Sequence, residues 1–284
     1  MIGKLTHLHS VLCTLCSLTF FKFFLNGKTT LKQRRRDRMS ITLYDIAKTL
    51  DHSTLQPFLT EDDIRKGCDV ALQYDTATVC ARPGDMPLVV KLLSSSGVKP
   101  CTVIGFPHGA HHTSVKVFEA EKALDDGCQE LDMVLNIGRL LHGDAAYVQD
   151  EITQLAQKAH NRDAILKVIL ETCYLNEEQK KLACRLSEAA GADFVKTSTG
   201  YGSAGATVAD VQLMRAAVSD KVRVKASGGI RTLDMVLACR NAGATRCGVS
   251  ATVKIMEEAK KRLEEGTLTD QPLTPVENAG NGAY

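Results

Sequence analysis

The sequence predicts an α/β chain built as a single (β/α)8 TIM barrel behind a non-core N-terminal extension. Three observations carry this. Eight short β-rich runs alternate with helical stretches from residue 49 onward. Such alternation implies a parallel sheet, because parallel neighbours need crossover connections. Eight units in about 250 residues match the count and size of a closed barrel. The alternative, an open doubly wound sheet, would carry a glycine-rich turn directly after its first strand. Asp51-His52-Ser53-Thr54 occupies that place instead, and the glycines gather late in the chain.

In order, the β-rich runs cover residues 49–54, 76–80, 101–106, 130–136, 165–171, 193–197, 222–226 and 245–249. Helical patterns fall at 60–74, 114–127, 145–160, 176–190, 208–218 and 232–242. Thr60 followed by Asp63 has the spacing of a helix-starting cap. Gly127, Gly191 and Gly243 stand where a helix must stop, in three similar junctions that lead straight into the next strand. A helix end of this kind calls for positive φ, which glycine adopts without strain.

The chain has 284 residues, of which 44% are apolar and 24% charged, with 21 Gly and 7 Pro, so collagen-like and disordered classes are excluded. Its net charge of +2 hides an asymmetry. Residues 1–38 carry eight Lys and Arg against the single acid Asp37, which leaves 27 bases against 32 acids in residues 39–284. A mildly acidic body argues against nucleic acid as a partner. The ten cysteines are scattered, and Cys80, Cys101 and Cys247 lie in apolar runs. Cys13 and Cys16 form one Cys-x-x-Cys with no second pair to complete a zinc site. Free buried thiols in a reducing compartment are the expectation.

Residues 1–38 are set aside from the fold. Their apolar stretch, Leu8 to Leu25, is interrupted by Lys22 and is marginal for a bilayer span of about 20 residues. Three readings stand: an organelle transit peptide, a signal anchor, or an upstream extension with Met39 as the working start. Residues 39–284 are expected to form the barrel domain, with a flexible tail from about 266.

In a barrel the chemistry belongs at the C-terminal ends of the strands. Lys167, Lys196 and Lys225 stand in or at the ends of three consecutive late runs. Lysine is rarely buried unless paired, so any one of them reads as a snorkelling or ion-paired side chain. Three like charges gathered in one barrel read instead as Schiff-base chemistry: one amine as nucleophile, another as the cation that disfavours its protonation. Asp132 adds a carboxylate in an apolar run, and Glu130 shares its strand face by parity. Asp132 reads as an ion-pair partner of a lysine and as a proton shuttle held by that same pair, and the two are compatible. Gly200 and Gly202 follow the sixth run, Gly228 and Gly229 the seventh, and Gly248 and Ser250 end the eighth. Late-strand glycines let backbone N–H groups approach a phosphate. Arg231 is read equally as added charge and as a solvated side chain. His108, His111 and His112 lack a recognised ligand spacing, and metal is the minority reading. His52 is read as a structural pair with Asp51.

These residues resemble a known family. Val195-Lys196-Thr197-Ser198-Thr199-Gly200 and Val224-Lys225-Ala226-Ser227-Gly228-Gly229-Ile230-Arg231 are similar to motifs of the deoxyribose-phosphate aldolases. Leu50-Asp51-His52-Ser53-Thr54-Leu55, Val79-Cys80-Ala81-Arg82-Pro83, Gly105-Phe106-Pro107-His108-Gly109, Glu130-Leu131-Asp132-Met133-Val134 and Leu166-Lys167-Val168-Ile169-Leu170-Glu171-Thr172 resemble its first five strands. The resemblance implies a metal-independent class I aldolase, a lyase without cofactor. It implies reversible cleavage of the phosphosugar 2-deoxy-D-ribose 5-phosphate to acetaldehyde and D-glyceraldehyde 3-phosphate, in deoxyribonucleotide and carbohydrate catabolism. By motif, Lys196 matches the Schiff-base lysine, Lys225 its cationic neighbour, Asp132 the proton-relay carboxylate and Lys167 a supporting lysine. Gly200, Gly228, Gly229 and Ser250 match phosphate-contacting positions. Tyr284 matches the terminal tyrosine with which some members reach the active site, and reads equally as a disordered end. Two departures stand out: Ala251 follows Ser250 where some members carry a second serine, and the basic extension has no counterpart.

A homodimer in the cytoplasm is the expected state, or an organellar protein if residues 1–38 direct it there. Membrane contact is expected only if that segment is kept as an anchor. Two competing readings are another phosphate-binding barrel, including a metal aldolase using the His108 region, and a non-catalytic phosphosugar-binding barrel.

Overall fold

Strands and helices alternate along the whole described chain, which in this computed structural model comprises residues 41–276 and residue 278. Helix α1 (Leu43–Ala47) leads into β1 (Leu50–Thr54) and α2 (Glu61–Tyr74). There follow β2 (Thr78–Ala81), α3 (Met86–Leu93), β3 (Lys99–Ile104), α4 (Thr113–Asp125) and β4 (Glu130–Val134). After α5 (Ile137–His142) and α6 (Ala145–His160) come β5 (Ile165–Ile169), α7 (Glu177–Ala189), β6 (Phe194–Lys196) and α8 (Val208–Ala217). The order ends with β7 (Arg223–Ser227), α9 (Leu233–Asn241), β8 (Ala244–Val249) and α10 (Thr252–Glu264). The strands pair in chain order, all in parallel, and the barrel closes where Leu50, Asp51 and His52 of β1 meet Cys247, Gly248 and Val249 of β8.

Local chemistry explains the element ends. Thr60 and Asp63 form a reciprocal cap at the start of α2, a device worth about 1 kcal/mol. Gly127, Gly191 and Gly243 have φ of +96°, +86° and +110°, as a helix stop requires. Helix α9 is buried all round from Leu233 to Cys239, whereas other outer helices bury one stripe. In α6 it is Val148, Ile152, Leu155 and Ala159, spaced to face the sheet.

Three strands end two residues earlier than hydropathy predicts. The third stops at Ile104 because Gly105 turns the chain with φ +63°. The fourth stops at Val134, and Asn136 caps α5 instead, its Oδ1 accepting from Arg139 N at 3.1 Å. The fifth stops at Ile169, with Glu171 in the left-handed region at φ +55°. The helical patterns picked out in the sequence do not include α3, α5 and α10. In α3 the reason is Pro87, which reads as a breaker but is tolerated in a first turn.

Beyond α10, where composition predicts a flexible tail, Asp234 accepts hydrogen bonds from Leu273 N at 3.0 Å, Thr274 N at 3.2 Å and Thr274 Oγ1 at 2.6 Å. Asn278 pairs antiparallel with Thr207, the residue that caps α8. Among the described residues no helix is long and apolar enough to cross a membrane. The extension of residues 1–38 and Tyr284 lie outside the described residues.

Candidate active site

Four cations and three carboxylates meet inside the barrel. The hub is Asp132, at the centre of β4. Its Oδ1 accepts from Lys167 Nζ at 2.6 Å, and its Oδ2 accepts from Lys196 Nζ at 2.7 Å and Lys225 Nζ at 2.8 Å. Strand register explains the gathering: Asp132 lies opposite Lys167 on β5, and Lys196 opposite Lys225 on β7. Lys167 also reaches Glu130 Oε2 at 2.7 Å, and Lys225 pairs with Asp51 of β1. Arg246 of β8 joins Asp51 to Glu130, the latter at 2.7 Å. All three lysines and all three carboxylates are buried.

The protonation of this cluster follows from its partners. Burial alone would push the Asp132 carboxyl up, but the Lys167, Lys196 and Lys225 ammonium groups outweigh it and hold Asp132 well below the usual carboxylate range. Asp51 is likewise held low against burial, by Arg246 and Lys225. Burial would strip Lys225 and Lys167 of charge. Asp132 and Asp51 keep Lys225 above the usual lysine range, and Asp132, with Glu130 among others, does the same for Lys167. Four cations against three carboxylates leave one positive charge in excess. Lys167, Lys225 and Arg246 each touch two carboxylates, whereas Lys196 touches only Asp132. Lys196 is therefore the amine least engaged in ion pairing. It ends β6, at the barrel's mouth.

The mouth holds a cavity of about 220 Å³, lined among others by Pro107, His108, Glu171, Thr199 and Tyr201. Glu171 accepts from Thr199 N and from its hydroxyl, which ties the end of β5 to the loop after β6. Tyr201 crosses the mouth: its hydroxyl donates to Leu55 O at 3.0 Å and its ring meets Phe106 edge-on at 5.3 Å.

A second, smaller pocket is formed by the loops after β7 and β8, from Gly228 to Arg231 and from Gly248 to Ser250. Gly228 and Gly229 have φ of +87° and +74°. A Cβ on Gly228 would lie 3.0 Å from Gly205 Cα and 3.4 Å from Gly200 Cα, so three loop backbones pack here without side chains. Helix α10 starts directly after Ser250, with Ala251 at its cap position and no side-chain cap, so its free N–H groups adjoin the pocket. Backbone donors and a helix start suit an anion.

Residues 45–257 match the model of the DeoC/LacD family of aldolases. The chain belongs to the DeoC/LacD aldolase family. It is 54% identical over 218 residues to a deoxyribose-phosphate aldolase of Thermococcus gammatolerans, covering 76% of this chain and 97% of that relative. It is 46% identical over 241 residues to one of Rhodopirellula baltica, covering 85% and 98%. Among solved structures it is similar to the deoxyribose-phosphate aldolase of Aeropyrum pernix, described as tetrameric, with a TM-score of 0.72, 34% identity, and 77% and 92% of the two chains covered.

In this DeoC/LacD barrel the lysines and the carboxylate picked out by sequence converge, and so do Gly228, Gly229 and Ser250, with Gly200 packed beneath. One expectation is corrected. Asp51 and His52 do not pair. Neighbouring strand residues face opposite ways: Asp51 points into the cluster, while His52 Nδ1 is 2.8 Å from Thr252 Oγ1. Asp51, Arg246 and Glu171 escape sequence reasoning. The signal for the first two was their parity within β-rich runs. His108 lines the cavity, and His112 caps α4 through Ser114 N at 3.3 Å. Among the described residues, the one compact set of metal-ligand type is Cys80, Cys101 and Asp132, whose ligand atoms lie within 4.8 Å of one another. It faces the lysine cluster, where a divalent cation would be repelled.

Proposed function

We propose that this DeoC/LacD barrel is a deoxyribose-phosphate aldolase that uses Lys196 as its Schiff-base nucleophile. The observation that carries the reading is Lys196 itself: a buried lysine at a strand end, sharing one carboxylate oxygen with a neighbour that stays charged. The identity to relatives named deoxyribose-phosphate aldolase supplies the substrate.

Lys196 Nζ attacks the C1 aldehyde of open-chain 2-deoxy-D-ribose 5-phosphate, and the carbinolamine loses water to an iminium. The iminium withdraws electrons, a base takes the C3 hydroxyl proton, and the C2–C3 bond breaks to release D-glyceraldehyde 3-phosphate. The enamine is protonated at C2 through water ordered by Asp132 and Lys225, and hydrolysis frees acetaldehyde. Lys167 acts through Asp132, holding its Oδ1 so that Oδ2 faces the other two amines. Gly200, Gly228, Gly229 and Ser250 hold the phosphate, which fixes the bond that sits over Lys196. Tyr284 is proposed to reach the mouth, the tail being held at Asn278 against Thr207.

The mechanism asks for no cofactor and no metal. We extend the proposal to a cytoplasmic homodimer, which light scattering would distinguish from the tetramer described for the Aeropyrum pernix relative. The deciding experiment is borohydride trapping with 2-deoxyribose 5-phosphate in the presence of chelator. A reduced adduct on Lys196 supports the reading, an adduct on Lys167 or Lys225 reassigns the roles, and no adduct on folded protein removes the class.

A further inference from the structure

We infer that Cys80 and Cys101 form a peroxide-sensitive dithiol pair beside the lysine–carboxylate cluster, and that its oxidation to a disulfide switches the barrel off. The two residues are direct register partners on β2 and β3. Neighbouring strands bring such partners to about 4.8 Å between Cα atoms, inside the span of about 4.4–6.8 Å that a disulfide bridges. Both side chains are buried, and their sulfurs lie within 4.8 Å of each other and of an Asp132 oxygen. Cys101 Sγ sits 3.4 Å from Asp132 Oδ1 and 3.4 Å from Lys167 Nζ. Leu55 and Val103 pack around the pair, with Phe106 against them.

The surroundings select thiol oxidation over metal binding. A divalent ion would be repelled by Lys167, Lys196 and Lys225, whereas a thiolate is favoured by them. The two thiols also differ. A hydrogen bond from Cys101 and, against burial and Asp132, the charges of Lys225 and Lys196 push the Cys80 thiol below its ordinary range. Burial and the same hydrogen bond push Cys101 well above it. Cys101 also lies against the Asp132 carboxylate at 3.4 Å, which favours its protonated form, so Cys80 is the attacking sulfur and Cys101 the resolving one.

With hydrogen peroxide as oxidant, Cys80 thiolate attacks one peroxide oxygen. The O–O bond breaks, an S–O bond forms, and the departing oxygen leaves as water with the thiol proton. Cys101 then attacks the Cys80 sulfenic sulfur: the S–S bond forms, the S–O bond breaks, and hydroxide leaves as water with the Cys101 proton. Two thiols lose two electrons in all, and one peroxide becomes two waters. Once bonded to Cys80, Cys101 no longer supports Asp132 Oδ1 and Lys167, and the hub of the cluster shifts.

The test treats the full-length protein with hydrogen peroxide and reads it by non-reducing peptide mass spectrometry alongside aldolase turnover. The expected result is a Cys80–Cys101 linked peptide two hydrogens lighter than the separate thiols, an activity loss of at least tenfold, and recovery with dithiothreitol. C101A should lose the linked peptide and accumulate a Cys80 sulfenic acid that dimedone captures. No link in folded protein at peroxide excess overturns the pair. A link with full turnover overturns its effect on the cluster. The turnover arm rests on the aldolase reading above. Failure of that reading would appear as inactivity before any peroxide is added, and the mass measurement is independent of it.

Discussion

Lys196 and Lys225, register partners on β6 and β7, both donate to the same oxygen of Asp132, at 2.7 and 2.8 Å. Lys225 is held a second time by Asp51, and Lys196 is not. This asymmetry makes two similar lysines different, and it frames the first two predictions.

Lys196→Ala should lower turnover by about 10⁴-fold or more, since it removes the proposed nucleophile. It also leaves three cations facing three carboxylates, so the fold should survive. Circular dichroism and thermal melting would check the fold, and an assay of released acetaldehyde the rate. Turnover within tenfold of the unaltered protein would sink the assignment.

Lys225→Met keeps most of the length of the side chain and removes its charge. Turnover at pH 7 should fall about 100-fold, a loss of about 3 kcal/mol in transition-state stabilisation. The pH–rate profile should move toward alkaline values, because a cation no longer stands beside the nucleophile. An unchanged profile would assign Lys225 a structural place only.

Asp132→Asn leaves Lys167, Lys196 and Lys225 without their shared counter-charge. Breaking a buried ion pair from one side costs about 3–5 kcal/mol. The denaturant midpoint should drop accordingly, and turnover should fall with it. A variant as stable as the parent would show that Asp51 and Glu130 suffice to neutralise the cluster.

Gly228→Ala should weaken recognition of the phosphate. The residue sits at φ +87°, and its new Cβ would lie 3.0 Å from Gly205 Cα. Strain of about 1–3 kcal/mol is expected at such a position. KM for 2-deoxyribose 5-phosphate should rise, while turnover of unphosphorylated 2-deoxyribose should change little. Equal losses on both sugars would argue against a phosphate pocket here.

His52 predicts an acid-side loss of stability. Burial lowers its pKa from 6.5 to about 4. As pH falls below 6.5 the unfolded chain takes up the proton and the folded one does not. The contribution is complete above pH 6.5 and is lost as pH falls through 4, by about 3 kcal/mol in all. Burial pushes Glu151 and Glu171 up, which acts in the opposite direction. Both acids are shared with a His52→Asn variant, so the difference between the two urea-midpoint curves isolates the histidine. Parallel curves between pH 7 and pH 4 would contradict the prediction.

Much of the site was legible in the sequence. A lysine in a β-rich run has only two faces to choose from, and Lys167, Lys196 and Lys225 lie in three successive runs of one barrel. Glu130 and Asp132 share parity, and Lys167 indeed bridges both. The late glycines mark the pocket after β7 and β8 by their backbone freedom alone. Glu171 falls inside the run read as 165–171, with the parity of Lys167, but the strand ends at Ile169 and the left-handed backbone of Glu171 turns it to Thr199, a contact that periodicity does not show.

By itself the sequence determined the order of the eight strands, the helix stops and the inward face shared by Glu130 and Asp132, because periodicity, caps and glycine conformations are local properties. Only the tertiary structure decided which inward charges pair. Asp51 opens the barrel and Arg246 closes it, and nothing local joins them until β1 meets β8. That closure brings Lys225 its second carboxylate and leaves Lys196 with one. Charge pairing is a through-space property of the closed barrel, and it separates the two lysines that the sequence presents as alike.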